Sequence, residues 1–398
     1  MTIAHVQGMI DGYEGTLFSG RGDREMAAHK IYILQLESEV WDLEVMLGRP
    51  EELRGRRDHC SAIVKVTPGN KNLLFAHDTW DSYASMLRVQ RRISFGLKEF
   101  PGRTYTMSGY FGILPSTDDF MLTSANLAIM ETTIAVNDES LFAQASSHGV
   151  MTWVATRMAA SAAEWTSIFS RFNSGTYNNQ WMVVDYNLFT PGMSKLPKGL
   201  LYVLEQFPGT IEIEDMTERL QSDRYWASYN VPYFSRMFQI GGYRKLVEKF
   251  GSYYSWNSTS RARIFRRDHA AATDIDSLRK LMRFNNFSAD PLSTQEGCKP
   301  RGNAVLSIAA RGDLNPYNNS CPIDDLNDND NVATDYKITD VNLMKTLSFD
   351  AESGPTHQGL PPFDWTTANI KDDISHVGQP TVWNFEPVRH IWGVDPVF

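Results

Sequence analysis

Two strand-like apolar runs separated by a short turn sequence stand out in the first quarter of the chain. The first run covers residues 60–66 and the second covers residues 72–80. Between them lies Thr67-Pro68-Gly69-Asn70, in which Pro presets φ and Gly and Asn tolerate positive φ. The pattern predicts a β-hairpin whose outer ends lie side by side.

The rest of the chain predicts series of strands that alternate with helices. Apolar residues at helical spacing predict helices over residues 23–47, 138–172, 234–250 and 273–284. Alternating runs predict strands within residues 81–136 and at residues 180–186, 200–204 and 209–213. Residues 1–22 are rich in Gly and are predicted to be irregular. Because no regular βαβ spacing is present, we expect an α+β fold of stacked antiparallel sheets covered by helices.

The segment before the hairpin divides the chain. Residues 51–58 are polar and rich in Arg, and we expect them to be exposed, as a processing site must be. The economical division is a pro-segment over residues 1–59 and one catalytic domain over residues 60–398. No signal peptide is visible at the start, so we expect the chain to begin inside a longer precursor.

Composition and charge exclude several function classes. The net charge is −9 and no long basic patch is present, which argues against a nucleic-acid partner. No apolar run reaches 18 residues, so we expect no membrane span. The motifs G-x-S-x-G, H-E-x-x-H, GxGxxG and the P-loop are missing. The acidic run at residues 324–331 lacks the Gly and Glu of a calcium loop. We therefore predict neither a cofactor nor a metal.

Three cysteines and three sequons favour an oxidising compartment. Cys298 and Cys321 flank a loop of about 22 residues, and a disulfide between them would contribute roughly 3 kcal/mol. Cys60 is then the odd cysteine. The N-x-[ST] sequons, which predict glycosylation, stand at Asn257, Asn286 and Asn318. Together these features favour the secretory pathway.

Cys60 is the candidate nucleophile because it starts a strand directly after a polar, cleavable segment. A lone cysteine is more commonly a buried small hydrophobe. However, cleavage of the His59–Cys60 bond would give Cys60 a free α-amine, whose pKa near 7.7–8.0 suits a general base for its own thiol. The hairpin would bring His77 and Trp80 beside it. Without the thiol, both would be interpreted as core residues.

Five motifs carry a resemblance to a known family. They are His59–Ala62, Phe75–Trp80, Asn173–Gln180, Ser228–Pro232 and Arg263–Asp268. Through them the chain, over residues 24–398, resembles the phospholipase B-like family of lysosomal glycoproteins. That family is similar to N-terminal nucleophile hydrolases, which implies an αββα sandwich made as a precursor that cuts itself before a cysteine. By this resemblance, residues 1–59 are a truncated pro-segment.

The resemblance also implies roles for particular residues. Cleavage falls between His59 and Cys60, and Cys60 is the nucleophile. The other implied catalytic residues are His77 and Trp80 at the strand end, Asn179 (or Asn178) as oxyanion donor, Arg261 (or Arg263) near the nucleophile, and, more weakly, Thr132 and Thr133. The Asn pair could instead make a turn, and Arg261 could be a surface charge.

Two functions follow as hypotheses. The first is a lysosomal hydrolase that acts on acyl esters of phospholipids or on N-acyl amides without a cofactor. The second is a lysosomal binding or accessory glycoprotein that turns over little substrate; an uncut and inactive fragment is a third possibility. The implied partners are a lipid or N-acyl small molecule, a sorting receptor that recognises the N-glycans, and a second copy of the chain in a homodimer. The implied location is the lysosome lumen.

Overall fold

The computed structural model describes residues 2–17, 28–50, 59–116, 119–145, 151–370 and 374–393. Its helices are α1 Thr2–Leu17, α2 Ala28–Leu34, α3 Val40–Met46, α4 Met151–Met158, α5 Ala162–Ser170, α6 Thr217–Asp223, α7 Ser235–Ile240, α8 Tyr243–Phe250, α9 Ser260–Asp268, α10 Ile275–Met282 and α11 Val341–Met344. Within these ranges, no helix is both long enough and apolar enough to cross a membrane.

The strands form two large antiparallel sheets. They are β1 His59–Val66, β2 Leu73–Ser82, β3 Val89–Ser94, β4 Thr104–Gly109, β5 Phe120–Thr123, β6 Leu127–Thr133, β7 Asn179–Asp185, β8 Leu201–Phe207, β9 Thr210–Asp215, β10 Tyr225–Ser228, β11 Asn331–Ala333, β12 Asp335–Thr339, β13 Phe349–Ser353, β14 Phe363–Asp364, β15 Val382–Trp383 and β16 Val388–His390. The first sheet has the order β10-β1-β2-β12-β13-β16, with β11 also paired to β2. The second runs β3 to β9 in chain order, and β14 and β15 pair separately.

The sheets stack face to face and helices cover their outer faces, which makes the αββα sandwich. Val64 and Phe75 of the first sheet share a core with Phe120 and Met182 of the second. On the far side of the second sheet, Trp165 and the rest of its α5 apolar face pack in a separate cluster. Strands buried on both faces tend to lose their alternation, and β1 and β2 are apolar over residues 62–64 and 73–76, whereas Ser61, Lys65 and residues 77–79 are buried polar positions.

The predicted hairpin is confirmed. β1 and β2 pair antiparallel with Cys60 opposite Thr79 and Ala62 opposite His77. A single 3₁₀ turn over residues 68–70 joins them, with Gly69 at φ +67° and Asn70 at φ +51°. These are the left-handed conformations that Gly and Asn adopt most readily.

The N-terminal prediction was wrong in two respects. Residues 2–17 form a helix rather than an irregular segment, because its Val6 is buried and its His5 stacks on Phe95 with ring centroids 5.8 Å apart. Such packing outweighs the cost of about 1 kcal/mol for each internal Gly. The predicted helix over residues 23–47 is two helices, α2 and α3, separated by a 3₁₀ turn at Glu37–Glu39. The predicted end of this segment at residue 47 agrees with the structure, since α3 ends at Met46 and Gly48 follows at φ +72°.

Most of the other element predictions agree with the structure within the described residues. The predicted helices over residues 138–172 are α4 and α5, preceded by a 3₁₀ turn at Glu139–Gln144, and residues 146–150 lie outside the described residues. Strands β3 to β6 fall within residues 81–136, β7 to β9 match the three later strands, and α10 matches the last predicted helix. The predicted helix over residues 234–250 is interrupted at Gly241-Gly242, where Gly242 has φ +81°. The predicted disulfide between Cys298 and Cys321 is present. The predicted exposed segment at residues 51–58 lies outside the described residues.

Candidate active site

Cys60 lies at the start of β1, where groups from three other elements meet it. Its side chain is fully buried. Its sulfur lies 4.0 Å from Oε1 of Glu131 on β6, and its backbone N–H donates to Oδ1 of Asn230 at 3.1 Å. Its carbonyl accepts a hydrogen bond from Nη1 of Arg261 on α9 at 2.5 Å. The N–H, the carbonyl and the thiol of Cys60 therefore each contact a different side chain.

His77 lies on the same sheet face as Cys60. It pairs with Ala62, and because side chains two residues apart share a face, its ring lies on the side of the thiol. Its Nε2 lies 2.9 Å from the backbone carbonyl of Glu131. A carbonyl only accepts, so Nε2 donates and, in the neutral ring, Nδ1 is the basic nitrogen. Ligand-type atoms of His77, Cys60 and Glu131 lie within 4.8 Å of one another.

The Glu131 carboxylate is supported from behind by a tyrosine. Tyr177 lies with its hydroxyl 3.4 Å from Oε1 of Glu131 and donates to Oδ2 of Asp119 at 2.8 Å. Burial first, and then the negative charges of Asp119 and Glu131, raise the pKa of Tyr177 well above its usual value. The phenol therefore keeps its proton, which it donates to Asp119, and its oxygen packs against Glu131 beside Cys60.

Asn230 and Arg261 hold the backbone of Cys60. Arg261 donates through Nη2 to Oδ1 of Asn230 at 2.8 Å and to the carbonyl of Tyr229 at 2.9 Å. Asn230 in turn donates through Nδ2 to the carbonyl of Thr133 at 2.7 Å, across to the second sheet. Burial lowers the pKa of Arg261 to about 10, so the group stays cationic at neutral pH. The alternative Arg263 is exposed.

Trp80 is part of the site but lies on the other face of the sheet from the thiol. The guanidinium carbon of Arg261 sits 4.3 Å from the centre of a Trp80 ring, a cation–π contact. Trp80 Nε1 donates to the carbonyl of Ile308 at 3.1 Å, and the Ser61 hydroxyl donates to the same oxygen at 2.9 Å. Trp80 therefore supports Arg261, and through it the carbonyl of Cys60, rather than the sulfur.

The two candidate asparagines are both committed to hydrogen bonds, Asn179 to a nearby backbone carbonyl and Asn178 to a side chain on α3. Asn179 Nδ2 donates to the carbonyl of Tyr177 at 2.9 Å, and Asn178 Nδ2 donates to Oδ2 of Asp42 at 3.1 Å. Asn179 is completely buried and its Oδ1 has no hydrogen-bond partner among the described residues. Asn179 lies on β7, the strand next to that of Glu131, and pairs with Thr133. Its role as oxyanion donor stays a prediction.

Two of the weaker candidates belong to the neighbouring framework. Thr132 Oγ1 lies 2.6 Å from the hydroxyl of Ser228, which ties β6 to β10 across the two sheets. Thr133 contributes the carbonyl that accepts from Asn230. Both therefore help to hold β6 against the strand that leads to Asn230.

Sequence reasoning missed three residues that the structure brings to Cys60: Glu131, Asn230 and Tyr177. Asn230 and Tyr177 lie inside motifs that carried the family resemblance, so those motifs were the available signal. Glu131 directly precedes the two threonines that were singled out, and a one-residue step along a strand reverses the face. No local pattern around Glu131 distinguishes it from an ordinary strand residue.

A cavity of about 60 Å³ is lined in part by Tyr177. Its lining combines N-terminal residues with the body of the domain: Val6, Gln35, Ser38, Glu39, Leu114, Pro115, Ser116, Asp119, Thr152, Trp153 and Tyr177. Burial, followed by the charge of Asp42, raises the pKa of Glu39 to about 7. The cavity is therefore mixed in character, with apolar walls and two carboxyl groups.

The surface predictions have compatible positions. All three sequon asparagines, Asn257, Asn286 and Asn318, are exposed. Their glycosylation stays a prediction. The disulfide Cys298–Cys321 closes the loop that contains Ile308, whose carbonyl receives Trp80 and Ser61. The disulfide loop thus packs against Trp80 and Ser61, on the sheet face where Arg261 lies.

Comparisons with known proteins agree over nearly the whole chain. A sequence model of the family described as Phospholipase B matches residues 1–390. The chain is 41% identical to phospholipase B-like 1 of Caenorhabditis elegans over 99% of this chain and 71% of the relative. It is 39% identical to phospholipase B-like 2 of Rattus norvegicus (98% and 69%) and 33% identical to phospholipase B-like protein B of Dictyostelium discoideum (97% and 68%). The chain therefore belongs to the phospholipase B family.

Proposed function

We propose that this protein is a hydrolase of acyl bonds that first cuts its own chain between His59 and Cys60 and then uses Cys60 as its nucleophile. The observation that carries the proposal is the set of contacts around Cys60. Its N–H donates to Asn230 and its carbonyl accepts from Arg261. Its sulfur lies 4.0 Å from Glu131, and a ring nitrogen of His77 lies within 4.8 Å of both groups. A buried N–H and carbonyl need partners in any residue, so the contacts specific to a nucleophile are those that Glu131 and His77 make around the sulfur.

In the first step the Cys60 sulfur attacks the carbonyl carbon of His59. The new S–C bond forms as the C–N bond breaks, the thiol proton passes to the Cys60 nitrogen, and a thioester results. Water then hydrolyses the thioester, so residue 59 gains a carboxylate and Cys60 gains a free α-amine and thiol. Glu131 and His77 are the proton-accepting groups beside the sulfur in the uncut chain.

In the second stage the α-amine serves as the base for the thiol of the same residue. Asn230 Oδ1, which accepts the N–H of Cys60 in the uncut chain, would accept one N–H of the amine and so direct its lone pair. The Arg261 cation is bonded to the same Oδ1 and repels a proton on the amine. It therefore favours the neutral amine, which is the form that can act as a base.

Turnover of substrate then follows the same chemistry. The thiolate attacks the acyl carbon, the amine gives its proton to the leaving oxygen or nitrogen, and water releases the acid. The Asn179 amide is our candidate donor to the oxyanion, and the loss of one such donor typically costs about 2.7–4 kcal/mol in the transition state. The names of the relatives favour phospholipid esters, while the chemistry serves N-acyl amides equally well.

The cavity that Tyr177 lines offers space for part of the substrate. Its apolar wall includes Val6, Leu114 and Trp153, which suits an acyl chain or another apolar group. We also propose that the mature protein is a lysosomal glycoprotein, with glycans on the exposed sequons read by a sorting receptor, and that it can form a homodimer. The raised pKa values of the buried Glu39 and Glu205 predict greater stability in acid, which suits such a compartment.

A binding or accessory role is the alternative, and the complete burial of Cys60 favours it. The discriminating experiment measures hydrolysis of a panel of phospholipids and N-acyl amides by the mature protein, by Cys60→Ser and by the exposed-residue control Ser222→Ala. We expect hydrolysis by the wild type and the control, and a loss of at least 100-fold in Cys60→Ser. If the wild type and Cys60→Ser bind a substrate equally and neither hydrolyses it, the binding role is supported instead.

A further inference from the structure

Three different metal-ligand types meet around the proposed nucleophile. One ligand atom each from Cys60, His77 and Glu131 lies within 4.8 Å of the other two, and all three residues are buried. Sulfur, imidazole nitrogen and carboxylate oxygen are the donors that zinc accepts. Two ligands on one tetrahedral zinc stand about 3.5 Å apart, given bond lengths of about 2.0–2.3 Å. The three side chains therefore need to move by only about 1 Å to share one ion.

The surrounding hydrogen bonds orient these ligands as metal sites require. One nitrogen of His77 is held by the carbonyl of Glu131 at 2.9 Å, which leaves the other as the electron-pair donor. The Glu131 carboxylate is supported by Tyr177 at 3.4 Å, and Tyr177 by Asp119 at 2.8 Å. The imidazole thus has the outer hydrogen-bond partner that usually accompanies a zinc-bound histidine, while the Tyr177 hydroxyl, whose proton goes to Asp119, packs against the Glu131 carboxylate.

The charge balance also suits a divalent cation. A thiolate at Cys60 and the carboxylate of Glu131 supply two negative charges, and Asp119 adds a third beyond Tyr177. Arg261 approaches the carbonyl of Cys60 from the other face of the sheet and not its sulfur, and the charge of Lys337, which lies opposite His77 on β12, is balanced by the Asp335 carboxylate at 2.9 Å. Removal of two like charges from water is offset when a metal lies between them.

We infer that Cys60, His77 and Glu131 form a binding site for a single zinc-class divalent cation, and that an ion bound there inhibits the hydrolase. This inference rests on the proposed function only for its inhibitory consequence. The ion occupies the sulfur lone pair with which Cys60 would attack a carbonyl, so nucleophile and metal ligand are mutually exclusive roles. The site is thus a point at which available zinc controls the enzyme.

The first test measures binding without any substrate. Purified full-length protein is dialysed against Zn²⁺, with Mg²⁺ as the control ion, and its metal content is determined; Co²⁺ is then added in place of Zn²⁺ and the absorption spectrum is recorded. We expect one Zn²⁺ per chain, no retained Mg²⁺, and the charge-transfer absorption of a thiolate bound to Co²⁺. Cys60→Ala abolishes this absorption.

Variants separate the three ligands from general effects. His77→Gln and Glu131→Gln weaken Zn²⁺ binding at least tenfold. The matched controls His376→Gln and Glu214→Gln, at exposed positions, retain wild-type binding. Circular dichroism confirms that each variant is folded. Equal Zn²⁺ binding by wild type, His77→Gln and Glu131→Gln, or a Co²⁺ spectrum without thiolate absorption, overturns the inference.

The activity arm distinguishes this inference from the proposed function. If the metal-free protein hydrolyses an acyl substrate, Zn²⁺ at the concentration that saturates the site should reduce the rate at least tenfold, and a chelator should restore it. Hydrolysis that continues at full rate with the site saturated overturns the inhibitory role. Specific Zn²⁺ binding in a protein without hydrolysis supports the metal site and counts against the hydrolase proposal alone.

Discussion

Asn230 links the nitrogen of Cys60 to both sheets. Its Oδ1 accepts from the Cys60 N–H at 3.1 Å and from Arg261 at 2.8 Å, while its Nδ2 donates to the carbonyl of Thr133 at 2.7 Å. The residue adopts φ +69°, a left-handed conformation that Asn tolerates better than other side chains do. One amide group therefore determines where the nitrogen that would become the α-amine lies relative to the rest of the site.

Replacement of this amide tests its role directly. In Asn230→Ala we expect self-cleavage before Cys60 to slow by about 10–100-fold, because a hydrogen bond to a charged group is worth about 1.5–3 kcal/mol. The measurement is the rate at which the fragment that begins at Cys60 accumulates. Asn187→Ala, at an exposed position in the 3₁₀ turn that follows β7, is the matched control and should cleave normally. Cleavage of Asn230→Ala at the wild-type rate would remove Asn230 from the mechanism.

At the residue scale, the sequence predicted members of the site better than their roles. Cys60 and His77 were predicted to meet, and strand pairing brings them to one face. Trp80 was placed with them, but it lies three residues after His77, and an odd separation along a strand puts it on the other face. Glu131 could not be predicted because its approach to Cys60 depends on how two non-adjacent strands stack.

At the scale of elements, the hairpin of β1 and β2 rests on the loop closed by the disulfide. The loop between Cys298 and Cys321 contains Ile308, and the carbonyl of Ile308 accepts hydrogen bonds from Trp80 and Ser61. Cys298, Leu306 and Trp80 also share one apolar cluster. The disulfide therefore constrains a segment that packs directly against the site.

Removal of the disulfide should cost stability. For the double variant Cys298→Ser, Cys321→Ser we expect the free energy of unfolding to fall by about 3 kcal/mol, the chain-entropy cost of releasing a loop of this length. Urea denaturation of the variant and of the wild type, followed by tryptophan fluorescence, measures the difference. The wild type treated with a reductant should match the variant. An unchanged unfolding midpoint would show that packing alone holds the loop.

Elements specified by local chemistry were predicted correctly, and those specified by packing were not. The Pro68-Gly69-Asn70 turn determines the hairpin within a few residues, so the sequence was sufficient. By contrast, α1 forms in spite of Gly8 and Gly12, since its buried Val6 and its stacked His5 find partners elsewhere in the domain. Helix propensity is a weak guide when tertiary contacts decide.

At the scale of the whole molecule, the sandwich buries carboxyl groups that hold their protons. Burial raises the pKa of Glu205 to about 8, even though it accepts hydrogen bonds from Gln180 and from the backbone of Tyr233. Burial likewise raises the pKa of Glu39 to about 7. In the unfolded chain both would titrate near 4.5. Above pH 4.5 the folded state therefore binds more protons than the unfolded state does.

The protein should consequently be more stable in acid than at neutral pH. A raised folded-state pKa contributes stability that is fully present below pH 4.5 and is lost as pH rises towards 8, by about 1.4 kcal/mol per pH unit for each such group. We expect the free energy of unfolding to fall between pH 5 and pH 8, and Glu205→Gln to flatten that dependence. The control Glu214→Gln, which replaces an exposed carboxylate, should leave this pH dependence unchanged. Stability that rises over this pH range would contradict the burial argument.

The class of the fold could be predicted from the sequence, whereas the order of its strands could not. Strand series without βαβ spacing indicated stacked antiparallel sheets. However, β2 pairs with β12 across more than 250 residues, and β16, near the end of the chain, completes the first sheet. Such pairings depend on the complementarity of whole sheet edges, to which no short segment of sequence corresponds.

The central claim, that Cys60 becomes an N-terminal nucleophile, is tested most directly by the N-terminus of the protein. The wild type and Cys60→Ala are expressed through a secretory route, held at acidic pH and examined by intact mass and N-terminal sequencing. We predict a wild-type fragment that begins at Cys60 and an uncut chain in Cys60→Ala. A wild-type chain that stays intact, or a Cys60→Ala chain that is cut at the same bond at the same rate, would contradict the account.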